Sequence, residues 1–574
     1  MSEIIVEDCT VAEAYLRLLG ARGVDLFIGN AGTDFAPIIE AFVKLEAAGV
    51  AVPRPVTAPH ENVAIHVALG HWMVSGQIQT VMVHVNVGTA NAICGLMNAF
   101  QGEIPVLFSS GRTPWTEHGV EGGRNLPIHW TQEMWDQGGL TRQSTKWEYE
   151  LRHPAQIEGI VDRALAIAAS PPRGPVYLSL PREVLAMRIE RFAYSSPPRQ
   201  TAAIPAFPDP AALQLAFEWL SAAASPLLIT SNLGMDQDGM ESLIQFADRF
   251  AVPVIQTNGR NVSLPSAHPM HAGYDPASLL GKADLILVVE SPVPWIPDRV
   301  RPAADARVVS FGADPLHQRL PVRSFESDLT IAGRGSAALR ALTGFATQRN
   351  AGQYEQAFAH RREAITARKA ARLEALRIRS EEARVRSPIS PDYIAECISA
   401  VCGPDSILLR ESPRISPESF NLPHRLGYLY AGAAGGLGWG LGAAVGAALA
   451  APERLVVVIV GDGSYMFGVP VAAHYVALEQ NAPFLTVIAN NQRWNEVRSA
   501  TRHLYPAGAA ATANAREPLT YFDKALELHR TVEVAGGYGE RVEDPALLPD
   551  ALRRAVRMVM QERRQVVLDV ICGD

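Results

Sequence analysis

The sequence predicts an α/β protein of three domains, each a mostly parallel sheet flanked by helices. Three observations carry this reading. At 574 residues the chain exceeds what one hydrophobic core sustains, so two to four domains are expected. Short apolar runs of strand length alternate with helical spacing, the pattern of parallel βα units. One of these strands also ends in an acid flanked by glycines, at the strand end where open α/β sheets bind ligands.

The elements follow in order. In residues 1–190, Val11–Ala21 has helical spacing. Val24–Ile28 is an apolar strand ending at Gly29-Asn30-Ala31-Gly32. Thr80–Val85 and Pro105–Ser109 read as further strands, and residues 174–181 as the last strand of this domain. Residues 195–208, rich in Pro, Ser and Ala, read as a linker. Residues 205–345 form a second α/β segment, with strands at Pro226–Thr230, Val252–Gln256, Leu285–Val289 and Val308–Phe311. Residues 346–387 are a helical linker. Its Arg-rich stretch carries Glu363, Glu374, Glu381 and Glu382, so it reads as a solvated helix rather than a basic patch. Residues 388–574 form the third domain.

Composition narrows the function. Hydrophobic residues make up 48% and charged residues 19%, as in ordinary globular proteins. The net charge of −8 argues against a nucleic-acid binder. Five scattered cysteines without a CxxC pair point to reduced thiols in a cytoplasmic protein. The N-terminus MSEIIVEDCT has acids where a signal peptide would have a basic region. The uncharged run from Leu426 to Pro452 is mostly Gly and Ala and reads as a tightly packed buried helix, not a membrane span.

The most telling stretch runs from Leu455 to Asn491. The strand Leu455–Val460 ends in Gly461-Asp462-Gly463, a helical stretch follows, and the strand Phe484–Ile488 leads to Asn490-Asn491. A βαβ unit puts these two strand ends side by side. A carboxylate and a carboxamide there suit Mg²⁺ held with a substrate's phosphates, and the glycines admit close backbone approach. The bland alternative is a glycine-rich turn with Asp462 capping a helix.

With its 26 intervening residues, this unit resembles the diphosphate motif of thiamine-diphosphate enzymes. That chemistry needs an acid against the far side of the aminopyrimidine and an apolar pocket. Pro59-His60-Glu61-Asn62 offers Glu61 at the start of a helical pattern, where an acid can also serve the helix dipole alone.

Further stretches extend the resemblance over nearly the whole chain: Gly29-Asn30-Ala31-Gly32-Thr33, His84 to Asn91, residues 174–181, and Ala433 to Gly438. The chain is similar to the three-domain thiamine-diphosphate family of benzoylformate decarboxylase, acetolactate synthase and pyruvate decarboxylase, and most to the first. The resemblance implies a pyrimidine-binding domain, a middle domain and a diphosphate-binding domain. It implies active sites shared between subunits of a homodimer or homotetramer. Glu61 becomes the partner of the pyrimidine nitrogen. Asp462 and Asn491 become magnesium ligands, with a backbone carbonyl from Arg493. Gly461, Gly463 and Ser464 lie at the diphosphate, Leu437 forms a wedge under the cofactor, and the Gly435 backbone accepts from its amino group. Close helix packing would explain the glycines of 435–438 but not the large residue among them.

His84 matches an active-site histidine of benzoylformate decarboxylase, and a satisfied core histidine is the even alternative. Thr33 falls where that enzyme binds the substrate carboxylate with a serine. Gln132 resembles a glutamine of the acetolactate synthase pattern.

The pattern also departs from its relatives. Residues 291–297 lack the second histidine of benzoylformate decarboxylase and the Gly- and Arg-containing pattern of flavin-binding members, so FAD is not expected. Where pyruvate decarboxylases place a glutamate stands Val497, with Glu496 one position off and Trp494 nearby. The implied activity is decarboxylation of a small-molecule 2-oxo acid with carboligase activity beside it: ylide attack on the keto carbon, CO₂ loss, and enamine protonation to an aldehyde. A carboligase of the acetolactate synthase type, or a thiamine-diphosphate carbon–carbon lyase, is the alternative within this chemistry. An inactive scaffold or regulatory member is the alternative outside it, though it would need none of Glu61, Asp462 and Asn491.

Overall fold

The computed structural model describes residues 2–348, 355–512 and 516–573. By internal contacts the chain divides into two units. One comprises residues 1–203, 431–541 and 555–570; the other comprises 204–430, 542–554 and 571–574.

The first unit holds a six-stranded sheet with strands in the order Arg54–Thr57, Leu26–Asn30, Thr80–Val83, Leu107–Arg112, Val176–Pro181, Glu148–Glu150. Every pairing in it is parallel. The central strands are buried on both faces, as all-parallel sheets require. Residues 176–181 do not close this domain. A further strand, Arg188–Ser196, pairs antiparallel with Ser2–Thr10 and takes the start of the expected linker with it. Mixed burial along both strands of this ribbon leaves no continuous apolar run to mark them.

The same unit holds the parallel pair Val456–Gly461 and Leu485–Asn490, in register from Val457–Leu485 to Gly461–Ala489. Val566–Ile571 and Tyr538–Val542 follow in strand order. Of the uncharged run, Trp439–Ala450 is α-helical; the end of a 3-10 turn at Arg425–Gly427, the short strand Tyr428–Leu429 and a loop precede it. That helix is apolar all round and crosses the helix Glu61–Ser75, which is buried almost throughout. Glycines make the crossing possible. A Cβ at Gly70 would stand 2.0 Å from the Ala443 carbonyl oxygen, and one at Gly446 would stand 2.0 Å from that of Val67.

The second unit holds an all-parallel sheet ordered His271–Gly273, Val254–Gln256, Pro226–Thr230, Leu285–Val289, Arg307–Gly312, Leu329–Ala332. All four expected strands are present. Its phenylalanine-rich core includes Phe217, Phe246 and Phe250. The Arg-rich stretch is the helix Glu355–Ala383. Among the described residues, no helix is long and apolar enough to cross a membrane.

Candidate active site

The strand Leu26–Asn30 and its parallel neighbour Thr80–Val83 end side by side, Asn30 opposite Val83. The turn Thr33–Phe35 follows the first strand, and His84 follows the second at the head of the helix Val85–Gln101. One small cavity is lined by Thr33, Asp34, His84, His129, Gln132 and Arg182, among others. Three residues expected from sequence, Thr33, His84 and Gln132, thus meet there.

The His84 ring is half-buried and has a partner at each nitrogen. Its Nδ1 lies 2.5 Å from Asp34 Oδ1, and its Nε2 lies 3.2 Å from Gln132 Nε2. Asp34 is buried, and its other oxygen accepts from the Val85 amide at 3.3 Å. The carboxylate assigns the ring proton to Nδ1, so the neutral imidazole turns its Nε2 lone pair toward the Gln132 amide. The Asp34 carboxylate raises the His84 pKa above its ordinary value, against the opposing effect of burial; the charge of Glu61 adds to the rise. Two glycines make room for the pair. A Cβ at Gly32 would stand 2.1 Å from His84 Nδ1, and one at Gly111 would stand 1.7 Å from Asp34 Oδ2.

Glu61 opens the helix Glu61–Ser75. The His60 ring caps that helix by accepting from the Asn62 amide at 3.1 Å. Glu61 is 8% exposed, and one carboxylate oxygen accepts from Asn91 Nδ2 at 3.1 Å. Gly88 lets it approach the neighbouring helix: a Cβ there would lie 3.2 Å from Glu61 Oε1.

Asp462 follows the strand Val456–Gly461 as expected and starts the short helix Asp462–Phe467. It is buried; Oδ1 accepts from the Gly463 amide at 2.9 Å, while Oδ2 is buried without a partner. Burial pushes its carboxyl up to about 6, although the amides of Gly463, Gln492 and Arg493 oppose the rise. Asn491 sits beside it in the loop after Leu485–Asn490. Its Oδ1 accepts from the Arg493 amide at 3.3 Å, and its carbonyl accepts from Arg493 Nε at 3.0 Å. Ser464 is buried on the same turn. An orphaned carboxylate oxygen beside a carboxamide and backbone carbonyls is an oxygen donor set that fits a divalent cation. Asn490 instead faces inward, donating to Asp569 at 2.7 Å. Glu496 and Val497 are exposed.

The loop before Trp439 is tied to Asn98. That side chain accepts from the amides of Ala434 and Gly436, each at 3.2 Å, and donates to the Gly436 carbonyl at 3.0 Å. Gly435 has φ +77°, Gly438 has φ +80°, and Leu437 is half-buried between them. A Cβ at Gly438 would lie 2.4 Å from the Phe467 carbonyl oxygen.

Sequence reasoning missed Asp34, Asn91, Asn98, His129 and Arg182. The cue for Asp34 was its place directly after Thr33 at a strand end. Arg182 is buried and donates to the carbonyls of Gly122 and Gly123 and to Asn125 Oδ1. It lines the cavity while holding the loop of residues 122–125, a role no local pattern announces.

Two strand-end sites of this kind define a cofactor-dependent α/β enzyme. Residues 9–140 match the family described as "Thiamine pyrophosphate enzyme, N-terminal TPP binding domain", and residues 418–570 match its C-terminal TPP binding domain. The chain belongs to the thiamine-pyrophosphate-dependent enzymes, the family of 2-oxo acid decarboxylases and acetolactate synthases. A benzoylformate decarboxylase of Pseudomonas aeruginosa is 28% identical over 85% of this chain and 87% of that one. A sulfoacetaldehyde acetyltransferase of Castellaniella defragrans is 23% identical over 99% of this chain and 94% of its own. The crystal structure of benzoylformate decarboxylase from Polynucleobacter necessarius has the same fold, with a TM-score of 0.77 at 22% identity over 98% of both chains.

Proposed function

We propose that this protein is a thiamine-diphosphate- and Mg²⁺-dependent decarboxylase of a 2-oxo acid, with carboligase activity beside it. The observation that carries the reading is the buried, partnerless Oδ2 of Asp462 beside Asn491 and the Arg493 backbone, in a chain that also buries Glu61. Each carboxylate has one partner for one of its oxygens, Asn91 for Glu61 and the Gly463 amide for Asp462, and burying a carboxylate without a full set of partners is costly.

In this reading residues 1–190 bind the pyrimidine, 205–345 form the middle domain, 346–387 the helical linker, and 388–574 hold the diphosphate. Thiamine diphosphate supplies a nucleophilic carbon and an electron sink for CO₂ loss. Asp462, Asn491 and the Arg493 carbonyl hold the Mg²⁺. Gly461, Gly463 and Ser464 face the diphosphate. Leu437 supports the cofactor from below, and the Gly435 carbonyl accepts from its amino group. Glu61 holds a proton against the pyrimidine. The Thr33 hydroxyl binds the substrate carboxylate, and Gln132 orients the substrate. His84 moves a proton at Nε2, the nitrogen that Asp34 leaves free. No FAD is required.

The single chain supports a site shared between two copies. Asn91 holds Glu61, whereas Asn98, seven residues further along the same helix, holds the Gly435–Leu437 loop. That is about 10 Å of helix. A second copy would bring its own loop and metal site to this Glu61, making the protein a homodimer or homotetramer. Five scattered cysteines without a CxxC pair fit a cytoplasmic protein.

The Gln132–His84 contact favours a second reading, an acetolactate-synthase-like carboligase. Product analysis separates the two. Purified protein with Mg²⁺ and thiamine diphosphate is given aliphatic and aromatic 2-oxo acids. Aldehyde and CO₂ in equal amounts support decarboxylation, and a ketol supports the second reading. Turnover that persists after the cofactor and Mg²⁺ are stripped would contradict both.

A further inference from the structure

The loop Asn491 to Trp494 does not hold its shape alone. Gln492 has φ +57°, a left-handed conformation that costs a non-glycine residue about 1 to 2 kcal/mol. A segment some 25 residues downstream clasps it on both sides. The Trp494 amide donates to the Thr520 carbonyl at 2.7 Å, and the Phe522 amide donates to the Gln492 carbonyl at 2.9 Å. Between these bonds Arg493 and Tyr521 form an antiparallel bridge. The Trp494 ring packs edge-on to Phe522, with centroids 5.1 Å apart, and lies so close over Gly463 that a Cβ there would meet it at 2.1 Å.

The clasp is itself anchored at one buried acid. Glu517 is 7% exposed, and Oε1 accepts from Arg502 Nε at 2.7 Å and Arg498 Nε at 3.3 Å, both from the helix Asn495–Leu504 that continues the loop. The Glu517 carbonyl accepts from Thr520 Oγ1 at 2.8 Å, which fixes the carbonyl of Thr520 toward Trp494. The clasp and the helix are thus pinned at one end by Glu517 and at the other by the loop.

We infer that residues 517–522 are a clamp on the metal-binding loop, and that Glu517 is a positioning residue for Mg²⁺ and diphosphate, acting through Gln492–Trp494. The inference rests on the reading of Asp462, Asn491 and Arg493 as the metal site. It extends that site to a segment outside the glycine–acid–glycine and double-asparagine pattern. Without the ion pairs the clasp loosens, the left-handed turn at Gln492 relaxes, and the Arg493 carbonyl leaves its place beside Asn491. The exposed Arg516–Asp523 pair on the same segment, at 2.8 Å, meets the clasp through the Arg516 guanidinium, 4.7 Å from the Tyr521 ring centroid, and a solvent-exposed pair of this kind contributes little.

The test uses the full chain, with Glu517→Gln, Thr520→Val as a second and milder cut in the same clasp, and Asp523→Asn as the control. Calorimetric titration with thiamine diphosphate at fixed Mg²⁺ reads affinity, and hydrogen exchange without cofactor reads the amides of residues 492–494. The expected result is about ten-fold weaker binding and faster exchange of those amides in both clasp variants, as for other groups that support metal ligands from behind. Asp523→Asn should match the parent. Parent-like affinity and exchange in Glu517→Gln, or in Thr520→Val where the first variant does not fold, overturns the clamp. Failure of the parent chain to bind thiamine diphosphate overturns the metal-site reading instead, and would show in the first titration.

Discussion

Asp34 Oδ1 lies 2.5 Å from His84 Nδ1, and this contact commits one ring nitrogen to a carboxylate and turns the other toward Gln132. The carboxylate raises the His84 pKa, so the folded protein holds the ring's second proton to a higher pH than the unfolded chain does. A raised histidine pKa contributes stability that is complete below the unfolded value near 6.5 and is lost as pH rises through the higher folded value. The pH-dependent part of the stability difference between the parent and Asp34→Asn is therefore largest in acid and fades above neutrality. In turnover, the alkaline limb of the rate profile moves to lower pH in Asp34→Asn. Unchanged limbs would show that His84 does not titrate in the rate-limiting step.

The buried Asp462 carboxyl has the opposite consequence. Its pKa, pushed up to about 6, marks a cost that appears as pH rises above its ordinary value near 3.8 and is complete above about 6. Without metal, Asp462→Asn should be more stable than the parent at pH 7 to 8, by roughly 2 to 3 kcal/mol from the size of the shift. The gap should close by about pH 4. Adding Mg²⁺ with thiamine diphosphate should stabilise the parent and leave the variant unmoved. Denaturant melts with and without the ligands check both signs.

The proposal that each site is shared between two subunits is open to a mixing experiment. Glu61→Gln and Asp462→Asn chains should each be nearly inactive alone. Co-expressed, mixed pairs contain one site with both residues intact. If subunits pair at random, about a quarter of the parent activity returns. A site completed within one chain would give no recovery.

The helix crossing offers a stability test away from the chemistry. Gly446→Ala puts a methyl group 2.0 Å from the Val67 carbonyl oxygen, a contact that backbone must yield to relieve. A loss of about 1 to 3 kcal/mol is expected in equilibrium unfolding. Gly344→Ala, with nothing within 4 Å of its Cβ, should be neutral or slightly stabilising.

The fold was legible where the chain repeats itself. Pro226–Thr230, Leu285–Val289 and Leu485–Asn490 are apolar runs because they are buried on both faces, and such runs stand out in a sequence. The edge strands Arg54–Thr57, Glu148–Glu150 and His271–Gly273 are three or four residues long and carry polar groups, so nothing marked them. Asp462 and Asn491 were legible because strand ends announce themselves. Asp34, Asn91 and Glu517 were not. Each acts through a side chain from another part of the chain: Asp34 lies 50 positions from His84, Asn91 lies 30 from Glu61, and Glu517 lies 15 from Arg502. Periodicity and turn chemistry report only neighbours. Glu61 was visible as a helix-start acid; only the Asn91 contact and its burial separate it from one serving the dipole.

The central claim is tested most directly by CO₂ release from 2-oxo acids by the purified protein with thiamine diphosphate and Mg²⁺, set beside Glu61→Gln. The account predicts release from at least one acid, about 10²- to 10⁴-fold slower in the variant, which still binds cofactor at Asp462. Cofactor binding without release from any acid, or release unaffected by Glu61→Gln, would contradict it.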